Sequence, residues 1–211
     1  ISRRYELLGW ASRGENRYII EDDYDSELRL SGQPIPTLQS IDVSDKVIYM
    51  NTFTKTLSST VRISYMVLPG HLLDEFYKKL SFYSCTVSNF EQYTLAKFIQ
   101  EGYFEKHINR LRNYYHSKRD SLIKAIRNSR LNDLVTISGE EAGVHFLMEV
   151  HTSLTESKLI QSAGAHSIKL SPLSDYYHVS DEAPENVYIM NYSSIEVADI
   201  KEIIHRLSQC M

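Results

Sequence analysis

The chain has 211 residues, a length that fits one domain or one and a half. Hydrophobic residues make up 42% and charged residues 24%, an ordinary balance that excludes a disordered tail and a collagen-like repeat. No window approaches roughly 18 consecutive apolar residues, which excludes a membrane-spanning helix, and a net charge of −4 argues against a domain that grips nucleic acid by itself.

In chain order, residues 2–13 predict an amphipathic helix with Tyr5, Leu8 and Ala11 on one face and Gly14 as its stop. RYIIEDDYDSE then reads as a buried parallel strand over Tyr18, Ile19 and Ile20, with carboxylates emerging at its C-terminal end. Residues 31–46, with Gly, two Pro, Ser and Asp, predict a loop with little regular structure. A second apolar strand over 47–50 leads into the hydroxyl-rich NTFTKTLSST, and 62–69 predicts a third. Helices follow over 70–82 and from a capping box formed by Ser88 and Glu91. A long charged helix runs from 102 to about 128, with Phe104, Ile108, Leu111, Tyr115, Leu122 and Ile126 on one side. The remainder alternates: a strand over 144–150 entered by a turn at Gly139 and Gly143, a helix over 155–164, short strands around Ile168 and over 187–190, and a closing helix from Ile195. The division expected is a partial large lobe over 1–102, a connecting helix over 103–128 and a small α+β lobe over 129–211. Three strands are too few for an α/β sheet covered on both faces. The chain also opens inside a helix without Met, so the expectation is the C-terminal part of a longer protein.

The informative constellation is Asp22, Tyr24, Lys55 and Arg62. Lys55 is flanked by Thr52, Thr54 and Thr56 and followed by Ser58, Ser59 and Thr60, which makes it a poor surface lysine. Hydroxyls and backbone N–H groups in such a loop can hold a phosphate, and Arg62 adds a charged fork. Pyridoxal phosphate asks a protein for a lysine to take its aldehyde, an acid for its ring nitrogen and a phosphate cup. Asp22 at the end of one strand and Lys55 after the next would meet at the carboxyl edge of a parallel sheet. The bland alternative is a Thr/Ser-rich loop containing a lysine and an acidic strand end, and spacing alone does not exclude it. The basic stretch RLRNYYHSKR reads as a solvated helix face. The eight histidines are scattered, and His107 and His116 on the long helix are off ligand spacing, so no metal site is expected. Two cysteines, Cys85 and Cys210, build neither a disulfide framework nor a zinc cluster, and the N-terminus lacks a signal-peptide core, which makes a reducing, cytoplasmic setting the default.

IIEDDYDSE, VIYMNTFTKTL and VRISYMVLP, in this order and spacing, resemble the aminotransferase-like domain of GntR-type transcription regulators of the MocR family. The resemblance extends to SRRYELLGWA and EQYTLAKFIQEGYFEKHINRLRNYY. It implies the α/β fold of fold-type I aminotransferases, here as an incomplete large-lobe sheet plus a small α+β lobe, and pyridoxal 5'-phosphate as cofactor. It further implies a homodimer, an amine or amino-acid effector, and a DNA-binding winged helix that is absent from this chain. By the same resemblance Lys55 matches the Schiff-base lysine, Asp22 the acid at the ring nitrogen and Tyr24 the phenol at the ring oxygen. Thr52, Thr54 and Arg62 match the phosphate-binding positions, with Thr54 where the family more often has Ser. Asp23, Asp25 and Glu27 fall within the motif as caps or structural partners. In KLSPLSDYY, Asp175 occupies the position where a GABA-responsive member offers an arginine to a carboxylate. That acid favours a sensor over the alternative, a working aminotransferase, since it would repel a carboxylate. A third reading, a dimerisation module that has lost the cofactor, is disfavoured by the joint presence of Asp22, Tyr24, Lys55 and Arg62.

Overall fold

A computed structural model describes residues 2–30, 35–141, 143–179 and 182–211. The chain forms two compact units, Ile1–Glu27 with Gln33–Asn109, and Leu28–Gly32 with Arg110–Met211.

The first unit is built on a three-stranded sheet of β1 (Ile19–Asp22), β2 (Val47–Thr52) and β3 (Ser64–Val67). β1 and β2 run parallel, with Ile19 opposite Val47 and Asp22 opposite Met50. β3 returns antiparallel, with Thr52 opposite Ser64. Helices α1 (Ser2–Ser12), α3 (Gly70–Leu80) and α4 (Asn89–Gln100) lie where periodicity predicts them. The Ser88 hydroxyl accepts from the Glu91 N–H and donates to the Glu91 carboxylate, so Ser88 caps the helix as expected, with Glu91 bonded to its hydroxyl.

The segment read as a loop over 31–46 contains a helical turn among its described residues, α2 (Leu38–Ile41). Four residues are too few to show a 3.6-residue period, and the turn is held by polar contacts instead. Thr37 caps it, and the Glu21 carboxylate of β1 accepts from the N–H groups of Leu38 (2.7 Å) and Gln39 (3.0 Å). The Asp42 carboxylate then takes the N–H groups of Ser44, Lys46 and Val47, turning the chain into β2.

The second unit is an antiparallel sheet of β4 (Val135–Ser138), β5 (His145–Val150) and β6 (Val187–Asn191), with α6 (Glu156–Ala165) and α7 (Ile200–Cys210). The long helix α5 (Tyr103–Arg127) contributes residues to both units. β4 escapes sequence reading because it is four residues long and follows a tight turn over Arg130–Asp133 that carries no Gly or Pro. No strand forms around Ile168; Pro172 instead makes a single bridge to Tyr188. The closing helix starts at Ile200, after a tight turn over Val197–Asp199, rather than at Ile195. Gly139 and Gly143 both adopt positive φ, which explains glycine at each side of the β4–β5 turn.

The second unit holds the main core. Phe146, Met148 and Val150 alternate inward along β5, Leu122 and Ile126 face them from α5, and Ile200, Ile204 and Leu207 do so from α7. The basic stretch is not simply a solvated face. Lys118 is 1% exposed, donating to the Ser193 carbonyl (3.0 Å) and lying over the Tyr114 ring, and Arg119 donates to Asp120 and to the Glu140 carbonyl.

Two outcomes test this core. Phe146→Ala should cost about 3–5 kcal/mol in denaturant unfolding, because a fully buried ring leaves a cavity. The buried phenols of Tyr188 and Tyr192 are each pushed up to about 12, in both cases chiefly by burial. The folded state therefore holds their protons longer than the unfolded chain does. Their contribution is fully present below pH 10 and is lost as pH rises toward about 12, a loss that thermal melts across this range will record. Tyr192→Phe should make the decline shallower.

Candidate cofactor site

Parallel pairing brings the carboxyl ends of β1 and β2 to one edge of the first sheet. Asp22 ends β1 and Tyr24 follows it, while Thr52 ends β2 and Thr54 and Lys55 follow that. The antiparallel return places Arg62, two residues before β3, at the same edge. The topology thus gathers all six predicted residues. Asp22 shares a sheet face with Ile20, Met50 and Met66, which are 65%, 37% and 44% exposed.

The loop after β2 is folded on its own hydroxyls. Thr52 Oγ1 lies 3.2 Å from the Ile63 carbonyl and 3.1 Å from Thr54 Oγ1, and it accepts the Thr54 N–H. Thr54 Oγ1 donates to the Val61 carbonyl at 2.8 Å, and the Phe53 N–H donates to the Ile63 carbonyl. Thr56 is buried, and its carbonyl lies 2.7 Å from His107 Nε2. Phe53 packs against Tyr65 and edge-on against Phe104. Leu57, Val61 and Ile63 line an apolar groove of about 280 Å³ with Phe90, Leu95 and Phe98 of α4.

Against this fixed frame Lys55 and Arg62 are exposed, and among the described residues neither makes an ion pair or side-chain hydrogen bond. Lys55 is therefore a surface lysine here, contrary to the expectation from its neighbours. Tyr24 is half-exposed, and its phenol is held above the usual range by the Asp25 charge, by partial burial and by the Asp22 charge. It remains a hydrogen-bond donor at neutral pH.

Sequence reasoning missed two residues beneath the site. Asn51 is 4% exposed, and its amide donates to Glu27 Oε1 (3.1 Å) and to Tyr49 Oη (3.0 Å). Tyr49 Oη donates to Asp23 Oδ2 at 2.9 Å, and the Ser26 hydroxyl donates to the same oxygen. Asp23 and Glu27 are thus the structural partners expected of them. Two polar side chains on the inward-facing positions of an otherwise apolar strand were the available signal.

No family profile matches the chain. It is 41% identical over 208 residues to an uncharacterized HTH-type transcriptional regulator of Bacillus subtilis, YdeL, covering 98% of this chain and 44% of that protein. It is 36% identical over 205 residues to the probable rhizopine catabolism regulatory protein MocR of Rhizobium meliloti, covering 97% of this chain and 41% of that protein. Among solved structures, a kynurenine aminotransferase of Pyrococcus horikoshii superposes with a TM-score of 0.82 at 28% identity, covering 100% of this chain and 51% of that one. Over nearly its whole length the chain is similar to the aminotransferase-like part of MocR-type regulators. Its α/β fold is that of fold-type I aminotransferases, and it spans about half the length of the proteins it matches.

The Thr54 hydroxyl closes the loop that presents Lys55. Thr54→Val should leave the Val61 carbonyl short of a donor, at a cost of about 1 kcal/mol in thermal unfolding. Thr54→Ser, which keeps the hydroxyl, should restore most of it.

Proposed function

We propose that the chain is the pyridoxal-phosphate-binding effector and dimerisation region of a GntR/MocR-type transcription regulator acting in the cytoplasm. The observation that carries this reading is that Asp22, Tyr24, Lys55 and Arg62 lie at or just beyond the strand ends on one edge of the sheet. The donor set fits the cofactor: an exposed amine, a carboxylate, a protonated phenol and a guanidinium without a protein partner among the described residues.

When bound, pyridoxal phosphate supplies an aldehyde that captures amines and a ring that withdraws electrons. Lys55 would hold the aldehyde carbon covalently through Nζ. Asp22 would keep a proton on the ring nitrogen, since a carboxylate beside that nitrogen favours its charged form. Tyr24 would donate to the ring oxygen. Arg62 would pair with the phosphate, with Thr52 and Thr54 exchanging a carbonyl acceptor for a phosphate oxygen.

The sheet face bearing Asp22 exposes Ile20, Met50 and Met66, and neither α3 nor α4 buries a residue. Open apolar surface of this kind fits an incomplete large lobe that further protein covers. The DNA contacts would lie outside this chain, in keeping with its net charge of −4. An amine or amino-acid effector would act by binding one arrangement of the protein more tightly than another, which is the only way a ligand shifts such an equilibrium.

A working aminotransferase is the second reading, favoured by 28% identity over 208 residues to an aromatic-amino-acid aminotransferase of Thermococcus litoralis. The 41% identity to a regulator over the same length weighs toward the sensor. Titration of the intact protein with pyridoxal phosphate should produce a visible absorption band, with borohydride trapping label on Lys55. Lys55→Ala should abolish both, and an unchanged band in that variant would overturn the assignment. Multiple turnovers of amino-group transfer to a keto acid would establish the enzyme instead.

A further inference from the structure

We infer that Tyr49 and Asn51 are positioning residues, a polar clamp that locks the segment carrying Asp22 and Tyr24 onto the strand that delivers Lys55. The inference rests on the cofactor reading for its consequence, and on the hydrogen bonds themselves for its existence.

The two halves of the site reach the sheet edge by separate routes. Asp22 and Tyr24 leave β1 in a segment without regular ladder bonds beyond Asp23, whose N–H donates to the Met50 carbonyl at 2.9 Å. Lys55 leaves β2 three residues after Thr52. Backbone pairing therefore fixes the strands but stops short of the functional side chains. The clamp carries the connection further. Tyr49 Oη holds Asp23, the residue between Asp22 and Tyr24, while the Asn51 amide holds both Tyr49 Oη and Glu27. The other end of the Asn51 side chain accepts the Thr52 N–H at 2.5 Å, at the entry to the lysine loop. One side chain thus links the acidic segment to Thr52, the last residue of β2.

The chemistry favours a clamp of this kind. Both acceptors from the acidic segment are carboxylates, and hydrogen bonds to charged acceptors are the stronger sort. The Tyr49 phenol is partly withdrawn from water, and this burial holds its proton well above the ordinary range, so it stays a donor throughout the working pH range. The network crosses strand to segment rather than running along one element, so it constrains relative position. A buried apolar pair at 49 and 51 would provide packing without direction.

The test uses the intact protein and two readouts, hydrogen–deuterium exchange without cofactor and pyridoxal phosphate affinity from the visible band. In Tyr49→Phe, which removes a single hydroxyl, amides of the 19–27 segment should exchange about tenfold faster, as expected for loss of a charge-assisted hydrogen bond. Amides of 122–126 in the other unit should not change. Cofactor affinity should fall by a similar factor, and Asn51→Ala should do the same. Adding Asn51→Ala to Tyr49→Phe should then cost less than the sum, because the two share one network. Unchanged exchange in the 19–27 segment of Tyr49→Phe would overturn the clamp, as would uniform acceleration along the whole chain. Local acceleration in a protein that shows no visible band with pyridoxal phosphate would uphold the clamp while refuting the cofactor reading.

Discussion

The parallel pairing of β1 with β2 is the constraint on which the site depends. Parallel strands end on the same side, so two segments distant in sequence deliver their first loop residues to one edge. A register slip of one residue would move Asp22 to the opposite face, away from the surface it shares with Met50 and Met66. That register is held by polar anchors in the connection. Glu21, which alternates with Asp22 on β1, caps α2, and Asp42 gathers three N–H groups at the entry to β2. The connection buries one apolar side chain of α2, Leu38, so these carboxylates supply much of its definition.

The two units divide stability and chemistry between them. The second has a contiguous apolar core in which alternating strand residues meet helix residues spaced by three or four. The first buries Val47 on β2 beside two polar side chains, Asn51 and the half-buried Tyr49. Polar groups taken out of water weaken a fold unless they bond to one another, and here the Asn51 amide and Tyr49 phenol do so with Glu27 Oε1 and Asp23 Oδ2. The arrangement gives up apolar burial for directional contacts, a sound exchange where side-chain placement outweighs packing.

Long periodic elements and ordered motifs were legible in the amino-acid sequence, because each repeats a physical signal. The long helix shows its apolar stripe over many turns, Ser88 and Glu91 announce a helix start, and the carboxylate burst after Ile20 marks a strand end. Two of the four-residue elements were not legible, although β1 and β3, of the same length, were read from their apolar runs. α2 and β4 are too short for a period, and α2 exists because Glu21, far away in sequence, reaches its N-terminus. The six site residues were legible as a group through resemblance and strand order, whereas their exposure was not, since Lys55 has hydroxyl neighbours that bond to one another rather than to it. Asn51 and Tyr49 went unread because their role depends on which face of β2 turns inward, and a short strand with mixed polarity does not declare it.

The acidic run shows how tertiary structure sorts identical chemistry into different tasks. Glu21, Asp22, Asp23, Asp25 and Glu27 could read as a cation site, yet Glu21, Asp23 and Glu27 each have a separate hydrogen-bonding task. Glu21 caps a helical turn, Asp23 takes the hydroxyls of Ser26 and Tyr49, and Glu27 takes the Asn51 amide. The Asp25 charge is the largest influence keeping the Tyr24 phenol protonated. Asp22 differs: it lies on the exposed sheet face, and its carboxylate makes no hydrogen bond among the described residues. Asp22 also adds a smaller charge effect on Tyr24, but its carboxylate stays presented at the edge where Lys55 and Arg62 emerge. A carboxylate left without a donor, beside a phenol kept protonated, is what a ring bearing both a basic nitrogen and an anionic oxygen requires of its binding surface.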